Sequence, residues 1–170
     1  ARSRDPEQPH GVLNIARAAL TESPPNAALL TAVVDQAARD VLADALEAGR
    51  DAERALRKKH TKRADRDAAL AEAGVAMHAA AGSDQALLAA WIAAPSFRSP
   101  WPDGAPTDVS IDGDRATVTV AGGGAVRLVK EDGQWRLLGL ASAARAALLE
   151  PARAVVTADT GDAAEPAVEP

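Results

Sequence analysis

Three histidines, three tryptophans, one phenylalanine, scattered carboxylates and a dense basic run are the groups of this 170-residue chain that could do chemistry. His10, His60 and His78 do not stand at metal-ligand spacing from one another, and no HExxH occurs. His78 follows Met77 on a predicted helix and could line a pocket; the plainer reading is a packed or surface imidazole. His60 lies inside the basic run and reads as solvated. Asp112, Asp114 and Asp132 are better explained as turn formers than as acid–base partners. The Asp112-x-Asp114 spacing suggests a cation loop, but the rest of an EF-hand pattern is missing. Gly122-Gly123-Gly124 leads into no helix start and no Lys-Ser/Thr, so it reads as a hairpin loop and not a phosphate cradle. Ser96, Ser99 and Ser142 lack the setting of a nucleophile elbow. The chain has no cysteine, which excludes disulfides, thiol nucleophiles and thiolate metal sites. The expectation is no catalytic set, no metal and no cofactor.

Two binding sets remain. Arg57, Lys58, Lys59, Lys62 and Arg63 sit within a cationic run from Arg54 to Arg66. A solvated helix end explains them simply. The sharper reading is a docking patch for an acidic partner or an anionic surface. No aromatic side chain is interleaved, which argues against single-stranded nucleic acid. Trp91, Phe97, Trp101 and Trp135 could form a cluster between helices, loop and sheet, with His78 nearby. Core packing is the plain reading; a pocket mouth or partner anchor is the other.

The elements that would position these groups divide at residue 107. From Asp108 to Leu140 four short runs of β type are punctuated by Asp112-Gly113, Gly122-Gly123-Gly124 and Asp132-Gly133. Glycine reaches positive φ without a Cβ clash, so these are hairpin signals. Ala116, Val118 and Val120 alternate with Thr117 and Thr119, and Val126, Leu128, Trp135 and Leu137 alternate with polar neighbours. The pattern predicts an antiparallel meander with one apolar face.

Upstream, residues 1–10 read as a disordered arm. A short helix covers 11–22 and stops at Ser23-Pro24-Pro25. Asn26 then caps one long helix to His60, whose stripe is Leu30, Val34, Ala37, Val41, Ala45, Ala48, Ala52 and Leu56. Gly49 in that helix marks a bend or a close contact. The α+β domain spans 63–156. Its helices cover 65–81, closed by Gly82, and 84–93, capped by Ser83; Pro95 to Pro106 is a loop carrying Phe97 and Trp101. A helix over 142–150 is interrupted by Pro151, and 157–170 is an acidic, disordered tail. The apolar sheet face should meet Leu70, Met77, Leu88 and Trp91.

The totals set bounds. The hydrophobic fraction is 47%, much of it alanine, so the core is built from small and aliphatic side chains. A net charge of −5 argues against nucleic acid, whose binding rests on phosphate neutralisation. No apolar run is long enough to span a membrane. The chain begins at Ala1 with no initiator Met, which fits either a cleaved precursor or an artificially trimmed chain. The expected compartment is periplasmic or secreted, with the cytoplasm as the alternative.

The alanine-rich helices, the run Asp108-Val-Ser-Ile-Asp-Gly-Asp-Arg-Ala-Thr-Val-Thr-Val and the run Val126-Arg-Leu-Val-Lys-Glu-Asp-Gly-Gln-Trp-Arg-Leu resemble bacterial NTF2-like (cystatin-like α+β) domains. The resemblance covers about residues 65–140. It implies a curved sheet wrapped over helices, forming a cone whose mouth can hold a ligand. Enzymatic members use polar pocket residues, and no matching set is found here. The long helical N-terminal part and the helix after the last strand depart from the pattern and suggest a partner-binding elaboration.

The fold class expected is therefore α+β: N-terminal helices packed on a four-stranded meander, a short C-terminal helix and a tail. The expected function is a non-enzymatic, exported bacterial protein-binding or assembly subunit. It would use the helix over 26–60 as an interface to another protein or to its own copy. The alternative is a small-molecule-binding or enzymatic NTF2-like domain with a pocket near His78, Trp91 and Trp101.

Overall fold

A computed structural model describes residues 3–164, with side-chain surroundings through residue 159. Its architecture is α+β. In chain order the helices are α1 (Pro9–Thr21), α2 (Ala27–Val33), α3 (Gln36–Lys59), α4 (Arg63–Glu72), α5 (Ala76–Ala80) and α6 (Asp84–Ala93). The strands β1 (Pro106–Asp112), β2 (Arg115–Val120), β3 (Ala125–Glu131) and β4 (Gln134–Leu137) follow. The described chain closes with α7 (Leu140–Ala144), a π turn (Arg145–Leu149) and α8 (Glu150–Ala164).

The sheet is an antiparallel meander in the order β1-β2-β3-β4. Gly113 has φ +61° in the two-residue β1–β2 turn, and Asp132 and Gly133 have φ +51° and +77° in the β3–β4 turn. Such turns carry the twist that lets flanking strands pair. The register sets Val118 opposite Val126, Ala116 opposite Leu128 and Leu128 opposite Leu137. These side chains and Val120 are buried, so the alternation read from sequence is the core face.

The cover differs from expectation. Helices α1 and α2 pack on the sheet, α1 against β1, β2 and β4 and α2 against β4. Leu88 and Trp91 of α6 join the same core. Leu70 does not face the sheet. It belongs to a second cluster with Ala52, Val75 and Ala152, beside Leu56, Val155 and Val156. The cause is an early stop in the helix predicted over 65–81. Gly74 takes φ +76°, the Gly74 amide bonds the Ala71 carbonyl, and the Val75 amide bonds the Leu70 carbonyl at 3.0 Å. This is a Schellman ending, with Val75 packing near Leu70. Gly82, predicted as the stop, is not at positive φ.

The helix predicted over 26–60 is two helices. Asn26 does cap the first, accepting from the Leu29 amide at 3.0 Å. At Val34 the chain turns extended and bridges in parallel to Leu137, while the Asp35 amide donates to the Leu137 carbonyl at 3.1 Å. The outer edge of β4 claims these two residues from the helix. The apolar side chains of α3, among them Val41, Ala45 and Ala52, are buried against α6, α7, the π turn and α8.

The arm over 1–10 is not loose where it is described. The Asn14 side-chain amide donates to the Ser3 carbonyl at 2.8 Å, and Pro9 opens α1. Proline suits a first helical position because its missing amide hydrogen would be unpaired there anyway. Gly11 makes the fold-back possible, since a Cβ there would stand 2.1 Å from the Asp5 carbonyl oxygen. Pro151 likewise does not end the C-terminal helix. Its ring and absent amide disturb an ordinary α turn. The run widens instead to a π turn, with the Glu150 amide bonded to the Arg145 carbonyl. Helix α8 then continues to Ala164, so the disordered tail expected from residue 157 is helical as far as 164. The expectation for residues 165–170, and for residues 1 and 2, lies outside the described residues.

Candidate functional site

The structure does not gather His78, Trp91, Phe97, Trp101 and Trp135 into one pocket. His78 is 1% exposed, held where α5 crosses α3. Gly49 provides the space, because a Cβ there would stand 2.3 Å from the His78 Cβ. Gly49 thus marks close contact between two helices of the same chain. The imidazole Nε2 donates to the Leu148 carbonyl at 2.8 Å, and Nδ1 has no partner among the described residues. Burial pushes this histidine below its ordinary pKa, against a smaller raising effect of the Leu148 bond. A neutral, enclosed ring is a packing element here.

Trp91 and Phe97 meet edge to face, with ring centroids 5.0 Å apart. Trp101 lies elsewhere and donates its indole N–H to the Leu138 carbonyl at 2.8 Å. It lines a cleft of about 380 Å³ with Arg17, Leu20, Thr21 and the loop Asp103–Ala105. Arg17 clamps that loop by donating to the Gly104 and Pro102 carbonyls. Trp135 is buried on the sheet's core face, with the Lys130 ammonium 5.5 Å from its ring centroid.

The basic set is brought together in part. Arg57, Lys58 and Lys59 form the last turn of α3, and Lys62 and Arg63 open α4. Arg57, Arg63 and Arg66 line a cleft of about 290 Å³, whose walls also carry Glu53 and Asp67. Arg57 pairs with Glu53 at 3.5 Å. Arg57 is therefore partly neutralised by its own neighbour.

Two features escaped the sequence reading. The first is a carboxylate pair at the start of α3. Asp35 is 6% exposed, and burial raises its pKa, with Glu131 adding to the rise and the Ala38 amide and Arg39 opposing it. Glu131 accepts from the Gln36 amide at 3.2 Å and meets Arg39 at 3.4 Å. Nothing local in the sequence joins residue 35 to residue 131. Among the described residues no group of three or more His, Cys, Asp or Glu could hold a metal ion.

The second feature is the edge of β1. In a two-residue hairpin the residues flanking the turn exchange both backbone hydrogen bonds. Asp112, Ser110 and Asp108 therefore bond to β2, and the amides and carbonyls of Ile111 and Val109 point away from it. Among the described residues no backbone bond outside the sheet engages Val109 or Ile111. Ile111 shares the core side of the sheet with its partner Ala116, yet is 57% exposed because the helices stop short of it. Asp108, Ser110 and Asp112 form the other face of the strand and are all exposed. The opposite edge, β4, is closed by Val34 and Asp35.

These features define an α+β domain with one sheet edge closed and the other open among the described residues. No family model, curated protein or solved structure matches the chain. Among the described residues no helix is long and apolar enough to cross a membrane.

Proposed function

We propose that this chain is a non-enzymatic protein-binding subunit that engages its partner along β1. The observation that carries this reading is the unpaired edge of a seven-residue strand bearing the exposed side chain of Ile111. Unpaired strand edges template further pairing, and proteins that must stay single cover them, shorten them or place lysine on them. β1 is seven residues long, carries no lysine and is uncovered among the described residues. Pro106, the register irregularity between Pro106 and Asp108 and the carboxylates of Asp108 and Asp112 blunt its start and its outer face and leave the stretch from Val109 to Ile111 open. Most of the apolar stripe over 26–60, the interface expected from sequence, is turned into the chain's own core: Leu30, Val34, Val41, Ala45 and Ala52 are buried, Ala48 and Leu56 partly so, and Ala37 is exposed. An interface through that segment is left with its charged faces.

A photo-crosslinking residue at position 111, in cells that make the protein, tests this reading. A discrete adduct at 111, with none from the same residue at Glu47 on α3, is the expected result. Equal, diffuse labelling at both positions would contradict it.

The cleft beside Trp101 favours a second reading, a small-molecule-binding NTF2-like domain. Its volume is at the lower end of ligand sites, and its walls combine an indole, aliphatic carbons and a guanidinium. A ligand that quenches Trp101 fluorescence and loses its effect in Arg17→Met would turn the choice toward this reading.

A further inference from the structure

The two faces of β1 differ in chemistry, and that difference specifies what can pair with it. On the core side stand Val109, partly buried against the core, and Ile111, exposed. On the outer side stand Asp108, Ser110 and Asp112, with Asp114 in the adjoining turn. An added strand would place its own alternate side chains beside each row, because strand side chains alternate with a period of two. It would meet an aliphatic row on one face and carboxylates on the other.

Resting on the proposed protein-binding reading, we infer that β1 accepts an extended partner segment in which basic residues alternate with aliphatic ones. The outward amides and carbonyls of Val109 and Ile111 supply the backbone bonds, as in strand addition to an open sheet edge. The aliphatic side chains of the segment complete the apolar row at Ile111. Its cations lie beside Asp108 and Asp112. Arg115, opposite Asp112 on β2, is the cation of the chain's own that faces this row across the strand pair.

A second copy of the chain fits this edge less well in the register that joins its two aliphatic side chains. Antiparallel pairing that matches Val109 with Ile111 of the copy also sets Asp108 opposite Asp112 of the copy, twice per dimer. Like charges directly opposite on a sheet are destabilising. The acidic row therefore disfavours that register of self-pairing and favours a cationic segment. The register with Val109 opposite Val109 of the copy sets Asp108 opposite Ser110, so self-association is read out as an outcome of the test.

The test uses the full chain, a labelled heptapeptide of alternating lysine and valine, and the matching peptide with glutamate in place of lysine. The expected result is saturable binding of the lysine peptide only, with slowed amide exchange at Val109 and Ile111. Ile111→Pro should weaken it by at least about ten-fold, since it removes one backbone bond, leaving its partner unpaired, together with the Ile111 side chain. Proline is tolerated at an edge position whose amide faces outward, so the ladder to β2 survives. Asp108→Lys, which leaves the backbone alone, should weaken the lysine peptide and admit the glutamate one. Equal binding of both peptides, or self-association abolished by Ile111→Pro, would overturn the basic chemistry and leave the edge reading standing. No protection at Val109 and Ile111 with any peptide and no self-association would overturn both.

Discussion

His78 shows how an apparently chemical side chain becomes a structural one. Its Nε2 satisfies a carbonyl of the π turn, and its Nδ1 has no partner among the described residues. A histidine whose folded pKa lies below its unfolded value of about 6.5 binds protons more readily in the unfolded chain. Its contribution is fully present above that pH and is lost as pH falls toward the folded pKa. Stability by denaturant titration should therefore decline from pH 7.5 to 5. The decline should be shallower in His78→Gln, which can still donate to Leu148 but does not titrate. Identical slopes would remove His78 as a cause. Trp135 belongs to the same scale. It is buried on the sheet, with Lys130 over its ring. Trp135→Ala should cost about 3–5 kcal/mol, as for other buried aromatic side chains. A loss under about 1 kcal/mol would mean that the ring contributes little to the core.

At the scale of elements, breaks in the helices decide the packing. Gly74 ends α4 so that Leu70 and Val75 can meet α3 and α8, away from the sheet. Gly74→Ala should cost about 1–2 kcal/mol, because a Cβ is disfavoured at its φ of +76°. A Cβ there would meet only the Pro151 side chain, at 3.8 Å, so backbone conformation and not crowding is what the measurement reads. A stability equal to the parent would show that the Schellman ending is not held. Pro151 acts in the other direction: the π turn ahead of it lets helix continue where proline alone would predict a stop.

For the molecule as a whole, the legible part was the part fixed by neighbours in sequence. Period-two alternation and Asp-Gly turns specify the meander and its apolar face residue by residue. One helix break was hidden because its cause is distant. Val34 continues an unbroken apolar stripe, and only the edge of β4, about a hundred residues later, draws it out of the helix. Gly74 falls inside the run predicted as one helix over 65–81, with Gly82 the expected stop, yet it is Gly74 that takes the left-handed conformation. The five aromatic and histidine positions looked like one site because sequence cannot say which side of a sheet or helix layer each one occupies. The open edge of β1 was illegible for the same reason. Pairing of β1 with β2 can be read from the turn, but which edges the helices and Val34 cover depends on the assembled layers.

Residue-resolved amide hydrogen exchange across β1 in the isolated chain tests the central claim most directly. Slow exchange at Ser110 and Asp112, bonded to β2, with fast exchange at Val109 and Ile111, is the result an open edge predicts. Equal protection at all four amides would mean that something in the chain already covers that edge, and the binding account would fall with it.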